Sequence, residues 1–389
     1  MTRFAHLQES QIPTMARIVS DAFNMDEAKC ALWIERSKLE NWRALAEGEQ
    51  ILGGLLRFDM GQWYGGRPVG LTGLAGVAIS TAGRGRRAGQ ELMRATLQEI
   101  RDQGTALSAL YGSITPFYRR CGYERAGSRL MAEVSLRELP GRSGPLEVRD
   151  LSEGDHAEVE AFYAQHVRQH GALLRCPYLW VRVRGPRGKT AQGYGFYRDG
   201  RLEGYTYLVK ELGDFKHNTL EATDVVLTTP DAVQTFLGLL AGHRAFFTHA
   251  SWPSPASSAL LLQIPEIWQY GLKLEEHWML RIVHLERALT ERGYAAHLQG
   301  ELHLQVEDPW FEENSGRWLV KVEGGRATVE RGGDGSVGLD IGALAALYTG
   351  FMSAESLALA GRLSGASEPL ALATAVFGSN GPPDLPDFF

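Results

Sequence analysis

The chain has 389 residues, a formal net charge of −6 at pH 7, 44% hydrophobic residues and 22% charged residues. This length predicts two or three domains of roughly 100–200 residues, and the composition is that of a globular protein with ample core material. The acidic balance argues against nucleic acid as the main partner, since phosphate binding requires a basic face.

The polar start of the chain does not resemble a signal peptide, and no apolar stretch approaches the roughly 20 residues that span a bilayer. The three cysteines are scattered, without the spacing of a zinc site or a disulfide framework. The sequence therefore predicts a cytoplasmic protein with no metal and no membrane partner.

Two short helices come first in chain order, predicted over residues 10–23 and 25–39 from apolar residues at helical spacing. Strands are predicted over residues 42–46 and 50–60, with a Glu-Gly-Glu turn between them. A run of small and branched apolar residues over 71–79 predicts a buried strand.

The segment after that strand is rich in glycine and arginine. Apolar residues recur at helical spacing over 87–103, and Gly104 stands where a helix C-terminus favours a left-handed residue. A strand that enters a helix through such a loop directs backbone N–H groups and the positive end of the helix dipole at one place, which is a site for an anion. The neighbouring arginines add contacts suited to a diphosphate.

The loop matches neither of two common phosphate-binding patterns. It lacks the terminal Gly-Lys-Ser/Thr of a P-loop, and Gly83-x-Gly85-x-x-x-Gly89 has one residue too many for the dinucleotide fingerprint. It resembles the pyrophosphate loop of GNAT acetyltransferases, Arg/Gln-x-x-Gly-x-Gly/Ala. That pattern falls on Arg84, Arg87 and Gly89, so that Arg87 replaces the middle glycine. An ordinary turn before an amphipathic helix is the alternative interpretation.

A short strand is predicted next, over residues 106–111. A helix is predicted to begin at Thr115, which is followed by a proline suited to the first helical position, and Tyr118 falls near its first turn. A strand over 129–136 is expected to close the first unit, and the proline- and glycine-rich residues 140–145 are expected to form a linker.

The second unit repeats the order of elements of the first. Its helices and strands are predicted over residues 154–167, 193–209, 219–227 and 231–240. No Arg/Gly loop stands in the matching place, so we expect a degenerate copy that kept the scaffold and lost the cofactor site. His166 and His170 have the spacing of a metal pair, but no third ligand accompanies them, which favours a solvated helix face.

The third unit is predicted to be a small mixed sheet with helices on one face. Its elements are predicted over residues 285–292, 298–306, 318–322, 327–330, 337–340, 341–349, 354–361 and 369–376. The chain ends in Asp387-Phe388-Phe389, and two final phenylalanines are unusual on a solvated tail. Burial of this end inside the protein and random fraying are both open.

Over all three units, the chain resembles the enhanced-intracellular-survival (Eis) type of acetyltransferase. The resemblance is carried by Val77-Ala78-Ile79, by Arg84-Gly85-Arg86, by the segments 117–123 and 278–282, and by the final phenylalanine. It implies an α/β (α+β) fold with tandem GNAT folds, each a mixed central sheet flanked by helices. The implied domains are a catalytic GNAT domain over 1–144, a degenerate GNAT domain over 145–283 and a sterol-carrier-protein-like domain over 284–389.

The resemblance also implies a site for the cosubstrate acetyl-CoA. The residues implied in binding its pantetheine arm, diphosphate and thioester region are Val77, Ala78, Ile79, Arg84, Gly85, Arg86, Arg87, Ala88, Gly89 and Ser113. The catalytic residues that it implies are Tyr118, as general acid, and the α-carboxylate of Phe389, as general base. Phe23, Asp26 and Trp33 are implied to line the amine pocket.

These residue types suit amine acetylation. A tyrosine, with a pKa of about 10, can protonate a departing thiolate. A terminal carboxylate has a pKa of about 3.5 in water, which burial would raise and a neighbouring ammonium would lower. Whether it acts directly, through a water, or by binding the ammonium is open.

The expected function is acetyl-CoA-dependent N-acetylation of a primary amine, on an aminoglycoside, a polyamine-like molecule or a lysine side chain. Asp26, Asp384 and Asp387 would suit such a cation, and the resemblance implies a hexamer. Two alternatives stay open. One is a lipid or sterol carrier, which requires a deep apolar tunnel in the third unit. The other is a myristoyltransferase-like enzyme with a longer acyl donor.

Overall fold

The computed structural model describes residues 2–139, 141, 143–213, 218–264, 266–378 and 380–389, with Ile267 described by its backbone alone. Pro140 and Arg142 of the predicted linker lie outside the described residues. The chain forms two compact units. Unit 1 comprises Met1–Gly127, Trp278–Pro383 and Phe389, and unit 2 comprises Ser128–His277 and Asp384–Phe388.

The N-terminal part of unit 1 is a mixed sheet with helices on both faces. Its elements are β1 (Thr2–His6), α1 (Ile12–Phe23), α2 (Glu27–Arg36), β2 (Trp42–Glu47), β3 (Gln50–Tyr64), β4 (Arg67–Ile79), α3 (Ala88–Asp102), β5 (Leu107–Tyr111), α4 (Thr115–Arg120) and the start of β6 (Glu124–Ser135). Met15 of α1 packs on Gly54, whereas the adjacent Leu55 packs in the cluster that contains Leu92 and Met93 of α3. Neighbouring strand residues point to opposite faces, so α1 and α3 cover opposite sides of the sheet.

The strand order of this sheet places β4 and β5 side by side. The order is β1-β2-β3-β4-β5, and the far edge of β5 is covered by the end of β13 (Tyr270–Ile282). The pairs are antiparallel except for β4 with β5, which are parallel and joined by α3. Gly104, after α3, has φ of 74°, as the sequence predicted.

The C-terminal part of unit 1 is a second sheet with helices packed on it. Its elements are α8 (Leu285–Glu291), β14 (Gly300–Glu307), β15 (Gly316–Glu323), β16 (Arg326–Arg331), β17 (Val337–Asp340), α9 (Ile341–Tyr348), α10 (Ala354–Leu359), β18 (Leu363–Ser364) and α11 (Ser367–Gly378). The strand order is β16-β15-β14-β17-β18. A fully buried ion pair anchors this part to the end of β13: Arg281 donates to both carboxylate oxygens of Asp308, each at 2.7 Å.

Unit 2 is built on the same plan as the first sheet. Its elements are the end of β6, β7 (Glu147–Leu151), α5 (His156–His166), β8 (Leu173–Leu174), α6 (Pro177–Arg184), β9 (Gln192–Arg198), β10 (Arg201–Glu211), β11 (Thr219–Leu227), α7 (Pro230–Gly242), β12 (His249–Pro253) and the start of β13. The strand order is β6-β12-β11-β10-β9-β7. The parallel strands β11 and β12 are joined by α7, as β4 and β5 are joined by α3. The predicted repeat is therefore present.

Two strands, β6 and β13, are each divided between the units: β6 passes from unit 1 into unit 2 after Gly127, and β13 passes from unit 2 into unit 1 after His277. The predicted strand 129–136 was expected to close the first unit, but this expectation is wrong. Within unit 2, the end of β6 pairs antiparallel with β12, from Met131 opposite Pro253 to Ser135 opposite His249. In unit 1 the edge of β5 is covered by the end of β13, from Trp278 opposite Tyr111 to Ile282 opposite Leu107.

The end of the chain is buried, which decides between the two alternatives left by the sequence. Phe389 is only 5% exposed and Asp387 is 7% exposed. A random, frayed tail would leave both side chains largely in water.

Candidate active site

The parallel pair β4 and β5 separates before β4 ends. The two strands are in register from Leu71 opposite Leu107 to Leu74 opposite Leu110, whereas β4 continues to Ile79. Residues 75–79 therefore extend past their last register partner on β5. Backbone N–H and C=O groups along such an edge are available to an extended ligand that adds itself to the sheet.

A β-bulge produces this separation. Gly76 and Val77 of β4 together oppose the single residue Leu55 of β3, because the register shifts there. Gly76 has φ of 58°, and a Cβ atom at this position would lie 2.8 Å from the ring of Trp33. The left-handed conformation and the close ring both require glycine here. The bulge bends the strand end that contains Val77, Ala78 and Ile79.

The exposed loop after β4 leads into the N-terminus of α3. Arg84, Gly85, Arg86 and Arg87 are all exposed, and Arg86 lies 3.6 Å from a carboxylate oxygen of Glu47. In the described part of the chain, no side chain caps the first N–H groups of α3. Free N–H groups, the helix dipole and exposed guanidinium groups together form a setting suited to a diphosphate.

Arg87 occupies a backbone conformation that favours glycine. It has φ of 61° and ψ of 9°, the left-handed region, at the position where the GNAT loop pattern has its middle glycine. A side chain in this region costs roughly 1–2 kcal/mol. The backbone therefore keeps the form of the loop, and the arginine replaces the glycine at a cost in strain.

Two substitutions test this strain. Arg87→Gly is expected to change the free energy of unfolding by about 0–1 kcal/mol, towards greater stability, while Arg87→Val should lower it by about 1–2 kcal/mol because a β-branched side chain is disfavoured at positive φ. Both variants remove the same charge, so each is the control for the other. Denaturant unfolding measures the difference, and equal stabilities would contradict the left-handed assignment.

Unit 2 lacks this setting at the equivalent place. The hydroxyl of Thr229 accepts a hydrogen bond from the N–H of Ala232 at 3.1 Å, which caps α7. The next residue, Pro230, has no N–H to donate. The first turn of α7 thus has one N–H capped by a side chain, which the first turn of α3 lacks in the described residues.

Tyr118 lies in the core beside the end of β5. It is 6% exposed, and its ring packs on Phe117 and Tyr123, with centroids 5.1 and 6.1 Å apart. A Cβ atom on Gly112, which follows β5, would lie 2.9 Å from the Tyr118 ring. Burial raises the pKa of Tyr118, and the nearby Cys121 thiol adds to that rise. Its hydroxyl has no hydrogen-bond partner among the residues that the structure describes.

Phe389 contacts the same end of β5. Its ring lies edge-on to Tyr111, the last residue of that strand, with centroids 5.4 Å apart, and edge-on to Phe58 at 5.5 Å. Because Tyr111 and Gly112 are adjacent, the last residue of the chain and Tyr118 both border the end of β5. The family resemblance implied that both residues serve one site, whereas no local pattern in the sequence predicted the contact of Phe389 with Tyr111.

Three arginines of unit 2 hold the residues before Phe389, and no pattern in the sequence predicted them. Arg129 Nε donates to the carbonyl of Pro386 at 2.8 Å, and Arg182 Nε donates to the carbonyl of Phe388 at 2.9 Å. Arg175 Nε donates to the carboxylate of Asp387 at 2.8 Å. The only signal in the sequence was the acidic tail itself, which requires cationic partners if it is buried.

The acidic groups of the tail are therefore not all available to a cationic substrate. Asp387 is buried against Arg175. Asp384 is half-buried, and its backbone N–H donates to the carbonyl of His170 at 2.9 Å. Burial raises the pKa of Asp384 to about 6, with Asp387 adding to the rise and Arg129 opposing it.

The raised pKa of Asp384 predicts a dependence of stability on pH. Its carboxyl ionises in the unfolded chain near pH 4 but in the folded protein only near pH 6, so stability falls as pH rises through this interval. Asp384→Asn is therefore expected to raise the free energy of unfolding more at about pH 8 than at about pH 4. Denaturant unfolding at both values tests this, and an equal effect at both would contradict it.

The residues expected in the amine pocket lie around α2 and β4. Phe23 is 42% exposed, and Asp26 is exposed and caps α2 by accepting a hydrogen bond from the N–H of Lys29 at 3.0 Å. Trp33 is half-buried against Trp42, with ring centroids 5.5 Å apart, and lies over the bulge of β4. Ser113 is exposed between β5 and α4.

Neither a metal cluster nor a membrane-spanning helix is found in the described residues. Among them, no group of three or more histidine, cysteine or acidic side chains is placed to hold a metal ion. No helix in the described ranges is long and apolar enough to cross a membrane.

Family models match three consecutive parts of the chain. An acetyltransferase (GNAT) domain matches residues 3–126, a second acetyltransferase (GNAT) domain matches residues 171–282, and a sterol carrier protein domain matches residues 285–386. These matches agree with the repeated β-α-β plan and with the separate C-terminal sheet described above.

Similar proteins match over nearly the whole chain. An uncharacterized N-acetyltransferase of Streptomyces coelicolor is 27% identical over 384 residues, which cover 90% of this chain and 88% of the relative. The crystal structure of a GCN5-related N-acetyltransferase from Anabaena variabilis is 31% identical, with a TM-score of 0.94 and all of both chains covered. Eis1 from Mycobacterium abscessus, 18% identical with a TM-score of 0.81 over all of both chains, shares the fold.

The matches confirm the resemblance that the sequence suggested. GNAT domains in general use acetyl-CoA, and the open edge of β4 and the uncapped N-terminus of α3 fit such a donor. The protein is therefore an acyltransferase enzyme. The chain belongs to the GCN5-related N-acetyltransferases, in the Eis-type order of two GNAT domains followed by a sterol-carrier-protein-like domain.

Proposed function

We propose that this enzyme transfers an acetyl group from acetyl-CoA directly to a primary amine. The observation that carries the proposal is the gathering of three features at the end of β5 in unit 1. These are the open edge of β4, the buried Tyr118 beside Gly112, and the ring of Phe389 on Tyr111. Such a transfer requires a binding site for the acetyl donor, an acid that protonates the leaving sulfur and a carboxylate that accepts the proton of the amine.

The donor side of the proposal rests on β4 and α3. Backbone groups of Val77 and Ile79, on either side of the buried Ala78, would pair with the pantetheine arm as with an added strand. The N-terminus of α3, from Ala88 and Gly89, and the exposed loop before it would bind the diphosphate through N–H groups and guanidinium charge. Ser113 is proposed to contact the thioester region. Bound acetyl-CoA supplies an acetyl group that is already activated as a thioester.

Tyr118 is proposed as the general acid. Because burial raises its pKa, the hydroxyl stays protonated over the range in which the enzyme is assayed. The same rise makes the hydroxyl a weaker acid, so we expect the proton to move only as negative charge develops fully on the departing sulfur. The absence of a competing partner in the described residues leaves this hydroxyl available to the sulfur.

The carboxylate of Phe389 is proposed as the base. In support of this role, the ring of Phe389 packs edge-on against Phe58 and Tyr111. We propose that the carboxylate binds the substrate ammonium and accepts the proton that the nitrogen loses on attack.

The substrate class is proposed to be polyamine-like molecules, including aminoglycosides, or lysine side chains. The curated relative in Streptomyces coelicolor is named an N-acetyltransferase, which supports an amine acceptor. Of the three acidic groups expected to attract a cation, Asp26 is the exposed one, since Asp387 is buried against Arg175. Phe23 and Trp33 would supply apolar contact beside it.

Thiol release from acetyl-CoA, measured against a panel of aminoglycosides, polyamines and lysine peptides, tests this function. Release that depends on at least one amine class is expected. Release that requires a long-chain acyl-CoA would favour the myristoyltransferase-like alternative instead, and no amine-dependent release with any donor would contradict the proposal.

The lipid-carrier alternative is not favoured by the interior of the third domain. Arg292 is fully buried there, and its guanidinium lies 5.8, 4.9, 4.6 and 5.0 Å from the ring centroids of Tyr64, Tyr294, Tyr348 and Phe377. All residues of α9 are buried as well. A charged group enclosed by aromatic rings is a poor lining for a lipid tunnel. Extraction of the purified protein is expected to recover no stoichiometric lipid.

We propose a hexamer because the Eis-type resemblance implies one. Eis1 from Mycobacterium abscessus shares the fold of this chain. Sedimentation equilibrium would give six times the mass of one chain. A monomer at assay concentration would contradict this assembly.

A further inference from the structure

Unit 2 contains a buried guanidinium whose donors are divided between the unit and the C-terminal tail. Arg175 is 1% exposed at its side chain. Its Nη1 and Nη2 donate to the two carboxylate oxygens of Asp224 at 2.5 and 2.9 Å, and its Nε donates to Asp387 at 2.8 Å. The two terminal nitrogens of the guanidinium thus face a fixed partner, and its Nε–H faces the tail.

The guanidinium is held in place by residues that are not part of the tail. The charged group lies 4.0 Å from the ring centroid of Tyr163 and 4.8 Å from that of Trp180. Asp224 is itself oriented by the hydroxyl of Tyr205, which donates to it at 2.7 Å. Arg175 is therefore neutralised and oriented by unit 2, and departure of the tail would leave a buried Nε–H without an acceptor. Leaving such a donor unpaired costs roughly 1–3 kcal/mol.

The tail is held at several successive points around that contact. The carbonyls of Pro386 and Phe388 accept from Arg129 and Arg182, and the ring of Phe388 lies 5.6 Å from the Arg182 guanidinium. Asp384 pairs with Ser128 in an isolated parallel bridge. Backbone contacts of this kind accept any side chain, whereas the Arg175 contact requires a side-chain oxygen at position 387 that can accept a hydrogen bond.

We propose that unit 2 is a receptor for the segment Asp384–Phe388 and that Arg175 is the positioning residue that fixes the end of the chain. The degenerate GNAT domain has lost the anion site at α7 and uses a buried arginine to bind a carboxylate of the protein itself. Ordering a free chain costs about 1–2 kcal/mol of conformational free energy per residue. Because unit 2 binds the segment in the free enzyme, the segment does not have to become ordered when substrate binds. The effect of the receptor on turnover rests on the proposed role of the Phe389 carboxylate.

Asp387→Ala tests the receptor without breaking the Arg175–Asp224 pair. We expect kcat to fall by about 10–100-fold, with KM for acetyl-CoA changed by less than about two-fold, because the base is displaced and the donor site is intact. D387N keeps an oxygen that can accept from Nε, so it is expected to recover most of the lost kcat. Failure of D387N to exceed the alanine variant would contradict the contact.

Glu160→Ala is the matched control. Glu160 accepts from Arg184 at 2.8 Å, and Arg184 lies 5.0 Å from the ring centroid of the same Trp180, but this pair does not contact the tail. Its removal should leave kcat unchanged. An equal fall in both alanine variants would mean that a general loss of packing in unit 2, and not tail positioning, lowers kcat.

Combining Asp387→Ala with removal of Phe389 separates positioning from a structural role. If Asp387 acts only by placing the terminal carboxylate, its substitution should cause no further loss of kcat once Phe389 is absent. Losses that multiply would overturn the positioning role.

Carboxypeptidase release of the terminal phenylalanine provides a readout that does not depend on catalysis. Release should be at least about ten-fold faster in Asp387→Ala than in the wild type, and unchanged in Glu160→Ala. If removal of Phe389 leaves kcat unchanged while this release is accelerated, the proposed base is wrong and the receptor stands. If release is unchanged in Asp387→Ala, the receptor is wrong.

Discussion

Replacing Tyr118 with phenylalanine is expected to lower kcat by about 10²–10³-fold, with KM for acetyl-CoA changed by less than about two-fold. The substitution removes the only group proposed to protonate the leaving sulfur. It removes no hydrogen bond found in the described residues, so the fold and the donor site should persist. Steady-state thiol release, with the thermal midpoint measured in parallel, tests both parts.

Tyr123→Phe is the control for this variant. Tyr123 is equally buried and lies in the same aromatic cluster, but its hydroxyl is bonded to the hydroxyl of Ser108 at 2.8 Å. Its loss should cost about 1 kcal/mol of stability and leave kcat nearly unchanged. Equal kcat values for the Tyr118 and Tyr123 variants would exclude Tyr118 as the acid.

The pH profile gives an independent check on Tyr118. A raised pKa means that the hydroxyl keeps its proton to higher pH than an ordinary tyrosine. Activity should therefore rise with pH as the substrate amine loses its proton, with no falling limb below about pH 10. A falling limb between about pH 8 and 9 would indicate a different acid.

Removing Phe389 is expected to lower kcat by about 10³-fold, because the carboxylate retreats by one residue and loses the ring that holds it. Extending the chain by one glycine keeps the ring on Phe58 and Tyr111 but moves the carboxylate by about 3.8 Å, so a fall of about 10²-fold is expected. Both proteins are compared with one that ends at Phe389, in the same thiol-release assay.

Phe389→Leu distinguishes the carboxylate from the ring. The variant keeps the terminal carboxylate and an apolar side chain, and it loses the edge-on contacts with Tyr111 and Phe58. A fall of less than about ten-fold is expected, since aromatic pairs contribute only about 0.5–1.5 kcal/mol beyond their buried area. If leucine is as harmful as the glycine extension, anchoring by the ring and not carboxylate chemistry explains both effects.

Local patterns predicted the elements of unit 1 closely. The strand predicted over 71–79 is part of β4, the helix predicted over 87–103 is α3, and the helix predicted to start at Thr115 is α4. Apolar periodicity, a helix-ending glycine and a proline after the cap act within a few residues, so they can be read from the chain directly. In contrast, α6 was not predicted, and only its last four residues, Val-Arg-Val-Arg, alternate as a strand would.

The arrangement of strands between units could not be read in this way. β6 and β13 each contribute one end to unit 1 and the other to unit 2, and their sequences carry no signal at Gly127 or His277 that marks the change. Which edge a strand covers depends on which other edges are already paired. That choice is made by contacts distant in sequence.

Sequence patterns predicted a strand, a Gly/Arg loop and a helix around residues 84–89, because such patterns act within a few residues. The family resemblance, which is confirmed, implied Tyr118 as the acid, and that role stays a prediction. Tertiary structure alone brought the ring of Phe389 to the end of β5 and placed Arg129, Arg175 and Arg182 around the tail. Arginines scattered over a sequence of mixed charge give no indication of a common target. Burial of the acidic tail makes an unpaired carboxylate costly, which accounts for Arg175 beside Asp387, whereas Arg129 and Arg182 donate to backbone carbonyls that burial removes from water.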